Sequence, residues 1–227
     1  MSRRNSVLYV SLNLGCSGIC EQCPTRHMLG CNKITVEDMI DWNKLEELLR
    51  ESKAETVCLI GGENPFKYST GHRNIYYNLY NRVKAVGKKL IAIASCEGTT
   101  NTDILAFFDE LYLYLPKNWK EDKLNVLNTL YIKTYVKIRT FIETDKVTEQ
   151  WLREVRLEFF TNPTILLKTP EERRQIPEYC KRFGDFDFTG NIINKRYPIY
   201  SLTDNKYYRH ATVKSIPWRE LIRRLEK

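Results

Sequence analysis

The sequence predicts an α/β fold: one domain around a parallel sheet, with a small irregular extension at its C-terminal end. Three observations predict it. Short β-rich runs alternate with stretches of helical period, six strand-then-helix units in a row, which is the pattern of a parallel sheet with helical crossovers. Several of the runs are continuously apolar instead of alternating, as strands covered on both faces require. The chain of 227 residues, with 42% hydrophobic and 28% charged side chains, has ordinary globular composition and enough length to bury one core.

In chain order, "VLYVSLN" (7–13) reads as the first strand. Thr35 is the expected start of an amphipathic helix in which Ile40, Leu45, Leu48 and Leu49 recur at helical spacing. The second strand, "TVCLI" (56–60), runs straight into Gly61–Gly62. "RNIYYNLYNRVKAVG" aligns Ile75, Leu79, Val83 and Val86 on one helical face and ends at Gly87, a residue type favoured just past helix ends. "KLIAIA" (89–94) is the third strand, and a short helix over 102–108 leads to the fourth, "ELYLYLP" (110–116). "EDKLNVLNTL" is helical, and "IKTYVKIRTFIE" (132–143) is a long fifth strand. Thr148 caps a helix bearing Trp151, Leu152, Val155 and Phe159. "TILLK" (164–168) is the sixth strand, and "TPEERRQ" opens a helix with Thr169 as cap and Pro170 at its first position. Residues 184–213 break the rhythm into short β segments and turns, with a closing helix from about Pro217. The expected division is a core over 1–183 and an extension over 184–227 that packs on it.

No apolar run approaches the roughly 18 residues needed to span a bilayer. "MSRRNSVLYV" has no long apolar stretch behind its arginines, so neither a membrane span nor a signal peptide is expected. The expected compartment is cytoplasmic and reducing, where clustered cysteines hold metal more often than disulfides. The odd total of seven cysteines agrees. Net charge is +8, and residues 173–227 carry 13 Lys and Arg against 6 Asp and Glu. Such a region suits phosphates or acidic protein surfaces. Without a nucleic-acid-binding motif, a solvated basic face is the simpler account, and nucleic acid is not an expected partner.

Four of the seven cysteines fall within residues 16–31, and Cys16, Cys20 and Cys23 are spaced C-x3-C-x2-C directly after the first strand. A short loop at a strand end can aim three thiolates at one point. Tetrahedral zinc normally takes four protein ligands, usually in paired spacings. Cys31, with His27 nearby, is the candidate fourth ligand. On that side the reading is a zinc-binding nucleic-acid module that joins Cys16, Cys20, Cys23 and Cys31 to the basic C-terminal region. Three thiolates without a clear fourth suit an iron–sulfur cluster with one iron left open.

The order strand, cysteines, helix, strand, "LIGGENP" resembles the radical S-adenosylmethionine superfamily, over roughly residues 7–170. The resemblance implies a (β/α)6 partial TIM barrel and a [4Fe-4S] cluster on Cys16, Cys20 and Cys23. It implies that S-adenosylmethionine chelates the open iron, with Gly61, Gly62 and Glu63 receiving its amino group. Two glycines also let a backbone approach a ligand closely, and Glu63 supplies a negative charge for an ammonium. Gln22 departs from the family pattern, which usually has an aromatic or aliphatic residue there, beside the adenine. The implied reaction is reductive cleavage with an electron from a flavodoxin or ferredoxin, giving methionine and a 5′-deoxyadenosyl radical that abstracts hydrogen from substrate, in an oxidoreductase or lyase. The cofactor carries that chemistry, and the protein orients it and excludes water.

Barrels of this kind collect their sites at C-terminal strand ends. That singles out Ser95 as a further cofactor contact and Cys96 as a candidate hydrogen-atom donor to a product radical, although a lone cysteine at a strand end is more often a small buried filler. Lys137 and Arg139 share one face of the fifth strand. A charged pair in an apolar strand is costly unless paired. An inward face would therefore mean a carboxylate of cofactor or substrate, best met by Arg139 because a guanidinium pairs with carboxylate as a fork. An outward face would mean solvent or a helix. Cys58 reads as core, and Cys180 has no partner nearby. His72 reads more simply as an exposed loop polar group, though one that could reach substrate, and His210 within "KYYRH" could cap the barrel or contact substrate. Within the superfamily, one-cluster chains of this size fit two branches: the 7-carboxy-7-deazaguanine synthases, which act on small molecules, and the organic-radical-activating enzymes, which make a glycyl radical on a partner protein. The anion-pairing groups favour a small-molecule or nucleotide-like substrate, with the partner-protein branch as the alternative.

Overall fold

A computed structural model describes residues 7–12, 37–60, 65–66, 73–95, 103–114, 137–143, 148–159, 164–167, 176–183, 185–188, 199–209 and 212–216. Its strands are β1 (Val7–Ser11), β2 (Thr56–Ile60), β3 (Lys89–Ser95), β4 (Glu110–Tyr114), β5 (Lys137–Glu143), β6 (Thr164–Leu167), β7 (Asp185–Phe188), β8 (Ile199–Ser201), β9 (Lys206–Arg209) and β10 (Thr212–Ile216). They form one sheet in the order β10-β9-β8-β1-β2-β3-β4-β5-β6-β7. Every neighbouring pair from β8 to β7 is parallel, and only β8–β9 and β9–β10 are antiparallel. The protein is therefore mixed α/β with a mostly parallel sheet. The sheet is open, with β7 and β10 at its ends.

From β1 to β7 each new strand is laid down beside the last in one direction. With the right-handed crossovers that are the rule for parallel strands, such an order returns over the same face each time. The main core agrees. It joins Leu8, Val10, Val57, Leu59, Leu90, Ala92, Leu111, Leu113 and Ile165 of the strands to helix residues Leu45, Leu48, Leu49, Ile75, Leu79, Val83, Trp151, Leu152 and Cys180. All described helices that enter a core do so on that side.

Helix α1 (Trp42–Glu51) buries Leu45, Leu48 and Leu49, as their spacing requires, but it starts later than the sequence suggests. Asp41 is its cap: the carboxylate accepts the Lys44 N–H at 3.0 Å, satisfying a donor with no partner inside the helix. Ile40 precedes the cap and is buried on its own account, after a 3-10 turn over Glu37–Met39; Thr35 lies outside the described residues. Helix α2 (Arg73–Ala85) ends where expected. Gly87 takes φ +70, which lets its N–H reach Lys84 O at 2.9 Å and the Lys88 N–H reach Val83 O at 3.1 Å, a glycine-dependent helix stop. A 3-10 turn over Asp103–Phe107 occupies the place of the expected short helix. Helix α3 (Glu149–Phe159) is capped as expected, with the Thr148 hydroxyl accepting the Trp151 N–H at 3.1 Å. Helix α4 (Glu178–Phe183) follows β6 and packs on α3.

The short β segments expected beyond residue 184 are strands of the same sheet. β7 adds to β6, whereas β8 pairs with β1 on the far side, Tyr9 with Ile199 and Ser11 with Ser201. The helices expected over "EDKLNVLNTL", from Thr169 and from Pro217 lie outside the described residues. Among the described residues no helix is long and apolar enough to cross a membrane.

Candidate functional site

β1 and β2 are paired in register from Val7–Thr56 to Ser11–Ile60, and the Leu12 N–H donates to Ile60 O at 3.2 Å one step further. The chain leaves both strands at the same end of the sheet, from β1 towards the cysteine run and from β2 directly into Gly61. Cys16, Cys20, Gln22, Cys23, His27, Cys31, Gly61, Gly62, Glu63, His72, Cys96 and His210 themselves lie outside the described residues. Among the described residues no group of three or more His, Cys, Asp or Glu side chains is placed to hold a metal. Cys58 and Cys180 are buried free cysteines. Burial pushes the Cys58 thiol up, which keeps it a protonated core group instead of a thiolate.

Two residues beyond Glu63, the chain is anchored. Tyr76 on α2 donates its hydroxyl to Pro65 O, and Phe66 is fully buried. The Phe66 ring meets Phe108 edge-on at 5.4 Å and tilts against Tyr76 at 6.2 Å. Aromatic pairs at these separations hold each other's orientation. The segment bearing Gly61, Gly62 and Glu63 thus runs between the fixed end of β2 and a fixed plug in the core.

Register decides which face Lys137 and Arg139 occupy. Tyr9, Cys58, Ile91, Glu110 and Lys137 form one level across five strands, and Ser11, Ile60, Ile93, Tyr112 and Arg139 form the next. Both basic residues therefore stand at the register levels of Tyr9 and Cys58 and of Ser11 and Ile60. On that face Tyr9, Cys58, Ile60 and Ile199 form a second buried cluster, flanked by the partly buried Val7, Ile91 and Ile93. Exposures of 0–2% for those four residues mean that this face is covered too, although none of the described helices packs on it. Continuing the register, Ser95, Tyr114, Phe141, Thr164 and Asp185 share the level above, and Glu143, Leu166 and Asp187 the one above that. Over β8, β1, β2 and β3 these levels and the one below hold mainly apolar residues, with polar ones such as Ser11, Ser201, Thr56 and Lys89 among them. The corresponding register positions of β4 to β7 include Glu110, Lys137, Arg139, Glu143, Asp185 and Asp187.

Sequence reasoning picked out Lys137, Arg139 and Ser95 from this face but missed Glu110, Tyr112, Glu143, Asp185 and Asp187. A signal was present: "ELYLY", "KIRTFIE" and "DFDF" all alternate with period two. No protein-family model matches the chain, and no curated protein matches it in sequence.

Proposed function

We propose that this chain is a radical S-adenosylmethionine enzyme built on a (β/α)6 partial barrel and acting on a charged small molecule in the cytoplasm. Cys16, Cys20 and Cys23 hold a [4Fe-4S] cluster at the end of β1. The Gly61–Gly62 backbone and Glu63, at the end of β2, take the ammonium of S-adenosylmethionine. Arg139 pairs with a carboxylate, Ser95 adds a polar contact, and Gln22 lies towards the adenine. When bound, and once reduced by a flavodoxin or ferredoxin, the cluster and S-adenosylmethionine supply a 5′-deoxyadenosyl radical for hydrogen abstraction. The protein's part is to hold both groups together, exclude water, and offer Lys137, Glu143, Asp185 and Asp187 on the same face to the substrate. Cys96, next to Ser95 in the chain, is the candidate hydrogen donor.

One observation carries this reading: β1 and β2 are direct, parallel, in-register neighbours, so the cysteine run and the glycine–glutamate segment leave adjacent strand ends. A cluster and the ligand that chelates it need that adjacency. The one-directional strand order and the one-sided packing of helices support the barrel. The mixed charge of β4 to β7 supports a small polar substrate over a protein surface.

The test is anaerobic reconstitution. About four irons per chain are expected, together with absorption near 400 nm and dithionite-dependent formation of 5′-deoxyadenosine. Each of Cys16→Ala, Cys20→Ala and Cys23→Ala abolishes both, and Cys31→Ala spares both. Stoichiometric zinc in the parent, lost in Cys31→Ala, overturns the reading in favour of a zinc site.

A further inference from the structure

The turn between β8 and β9 touches the chain on both sides of the cysteine segment. At the entry, the Leu202 N–H donates to Ser11 O at 2.9 Å, and the Thr203 hydroxyl donates to Leu12 O at 3.4 Å. Leu202 is fully buried and Thr203 is 6% exposed. At the exit, Asn205 Nδ2 donates to Met39 O at 2.7 Å, and Asn205 Oδ1 accepts the Asp41 N–H at 2.9 Å. The same Oδ1 accepts the Tyr200 hydroxyl at 3.1 Å, and Asn205 O accepts from Lys44 Nζ at 2.7 Å. Asn205 stands at φ 55, a left-handed conformation that asparagine tolerates far better than most residues.

One short turn thus grips Ser11–Leu12 and Met39–Asp41, described residues on either side of 13–36, the stretch that holds all four clustered cysteines. The contacts to Ser11, Leu12, Met39, Asp41 and Lys44 span more than 160 positions in sequence, so they are not a by-product of local folding. At Ser11, Leu12, Met39 and Asp41 the partners are backbone groups, which the turn holds whatever side chains those positions carry. We propose that the Leu202–Asn205 turn is a two-point clamp on the cysteine segment and that Asn205 is its positioning residue. The part of the chain that reads as an appended extension thereby sets the two ends between which the thiolates are presented. The link to an iron–sulfur centre rests on the proposed function; the restraint on the cysteines does not.

The test separates the two. In the full-length, metal-free, reduced chain, alkylation of each cysteine is followed by mass spectrometry in the parent and in Asn205→Gly. Glycine keeps the positive φ and removes only the side-chain bonds. Alkylation of Cys16, Cys20, Cys23 and Cys31 is expected to be about tenfold faster, the factor that about 1.4 kcal/mol of lost restraint gives. Cys58 and Cys180, buried in the core, keep their rates and report global opening. Lys84→Met, which breaks the 2.6 Å pair with Asp109 at the opposite end of the sheet, leaves the four rates unchanged. Asn205→Asp, which keeps an acceptor for the Asp41 N–H but sets a carboxylate oxygen against Met39 O in place of the donor, moves them the same way. Equal rates in parent and Asn205→Gly, or six cysteines accelerating together, would overturn the clamp. In iron-loaded protein the same variant releases iron to a chelator several-fold faster; failure of loading in the parent counts against the iron–sulfur reading and leaves the alkylation result standing.

Discussion

At Tyr76 a single hydroxyl connects α2 to the chain just beyond Glu63. Removing it in Tyr76→Phe leaves the rings packed but takes the partner from Pro65 O, a loss of about 1 kcal/mol to be read from urea midpoints. The phenol also makes a pH prediction. Burial pushes Tyr76 above its ordinary value of 10.0, and the same holds for Tyr200 and Tyr207. Their folded-state values lie above the unfolded ones, so the unfolded chain loses these protons first. The contribution is complete below about pH 10 and declines as pH rises beyond it. Urea midpoints should fall between pH 10 and 11, less steeply in Tyr76→Phe; midpoints that hold to pH 11 would remove the argument. Glu63 is the other single residue at stake. Glu63→Ala should retain iron and weaken S-adenosylmethionine binding about tenfold or more, since a charge-assisted hydrogen bond is worth roughly 1.5–3 kcal/mol. Unchanged affinity by equilibrium binding would reduce the glycine–glutamate segment to a turn.

The secondary elements were most legible where the determining interaction is local and nothing nearby imitates it. The stop of α2 at Gly87 and the Thr148 cap depend on residues within five positions of each other, and both were anticipated. The start of α1 was not, because Ile40 fits the helical period and so disguises the capping role of Asp41 beside it. Asp41→Ala is expected to cost about 1 kcal/mol, seen as a lower melting temperature with a fold otherwise unchanged. Strands β1 and β2 read clearly because both of their faces are buried, Leu8, Val10, Val57 and Leu59 in the helix-bearing core on one side and Tyr9, Cys58 and Ile60 in a second cluster on the other. β7 and β8 read as irregular because what makes them strands is pairing with β6 and β1, and β1 lies at the other end of the sequence. The site divides the same way. A contiguous motif such as C-x3-C-x2-C is visible in a string of letters. The shared face of Lys137, Arg139 and Asp185, and the grip of Asn205 on Met39 and Asp41, exist only once distant strands are in register.

For the molecule as a whole, β8 and β9 belong to the central sheet. Ile199, Tyr200, Leu202 and Tyr207 are 0–2% exposed, and β8 covers the edge of the strand that leads to the cysteines. A chain ending at residue 198 should therefore lose its cooperative thermal transition in circular dichroism, because it uncovers core and leaves a parallel strand edge unpaired. A sharp transition near that of the parent would show the C-terminal region to be an appendage after all. The adjacency of β1 and β2 bears most directly on function, and electron paramagnetic resonance of the reconstituted, dithionite-reduced chain tests it. A reduced-cluster signal that changes when S-adenosylmethionine is added, and that no longer changes in iron-replete Glu63→Ala, is the expected outcome. A cluster signal indifferent to S-adenosylmethionine, or zinc with no cluster signal, would contradict the placement of a cluster and its chelating ligand at these two strand ends.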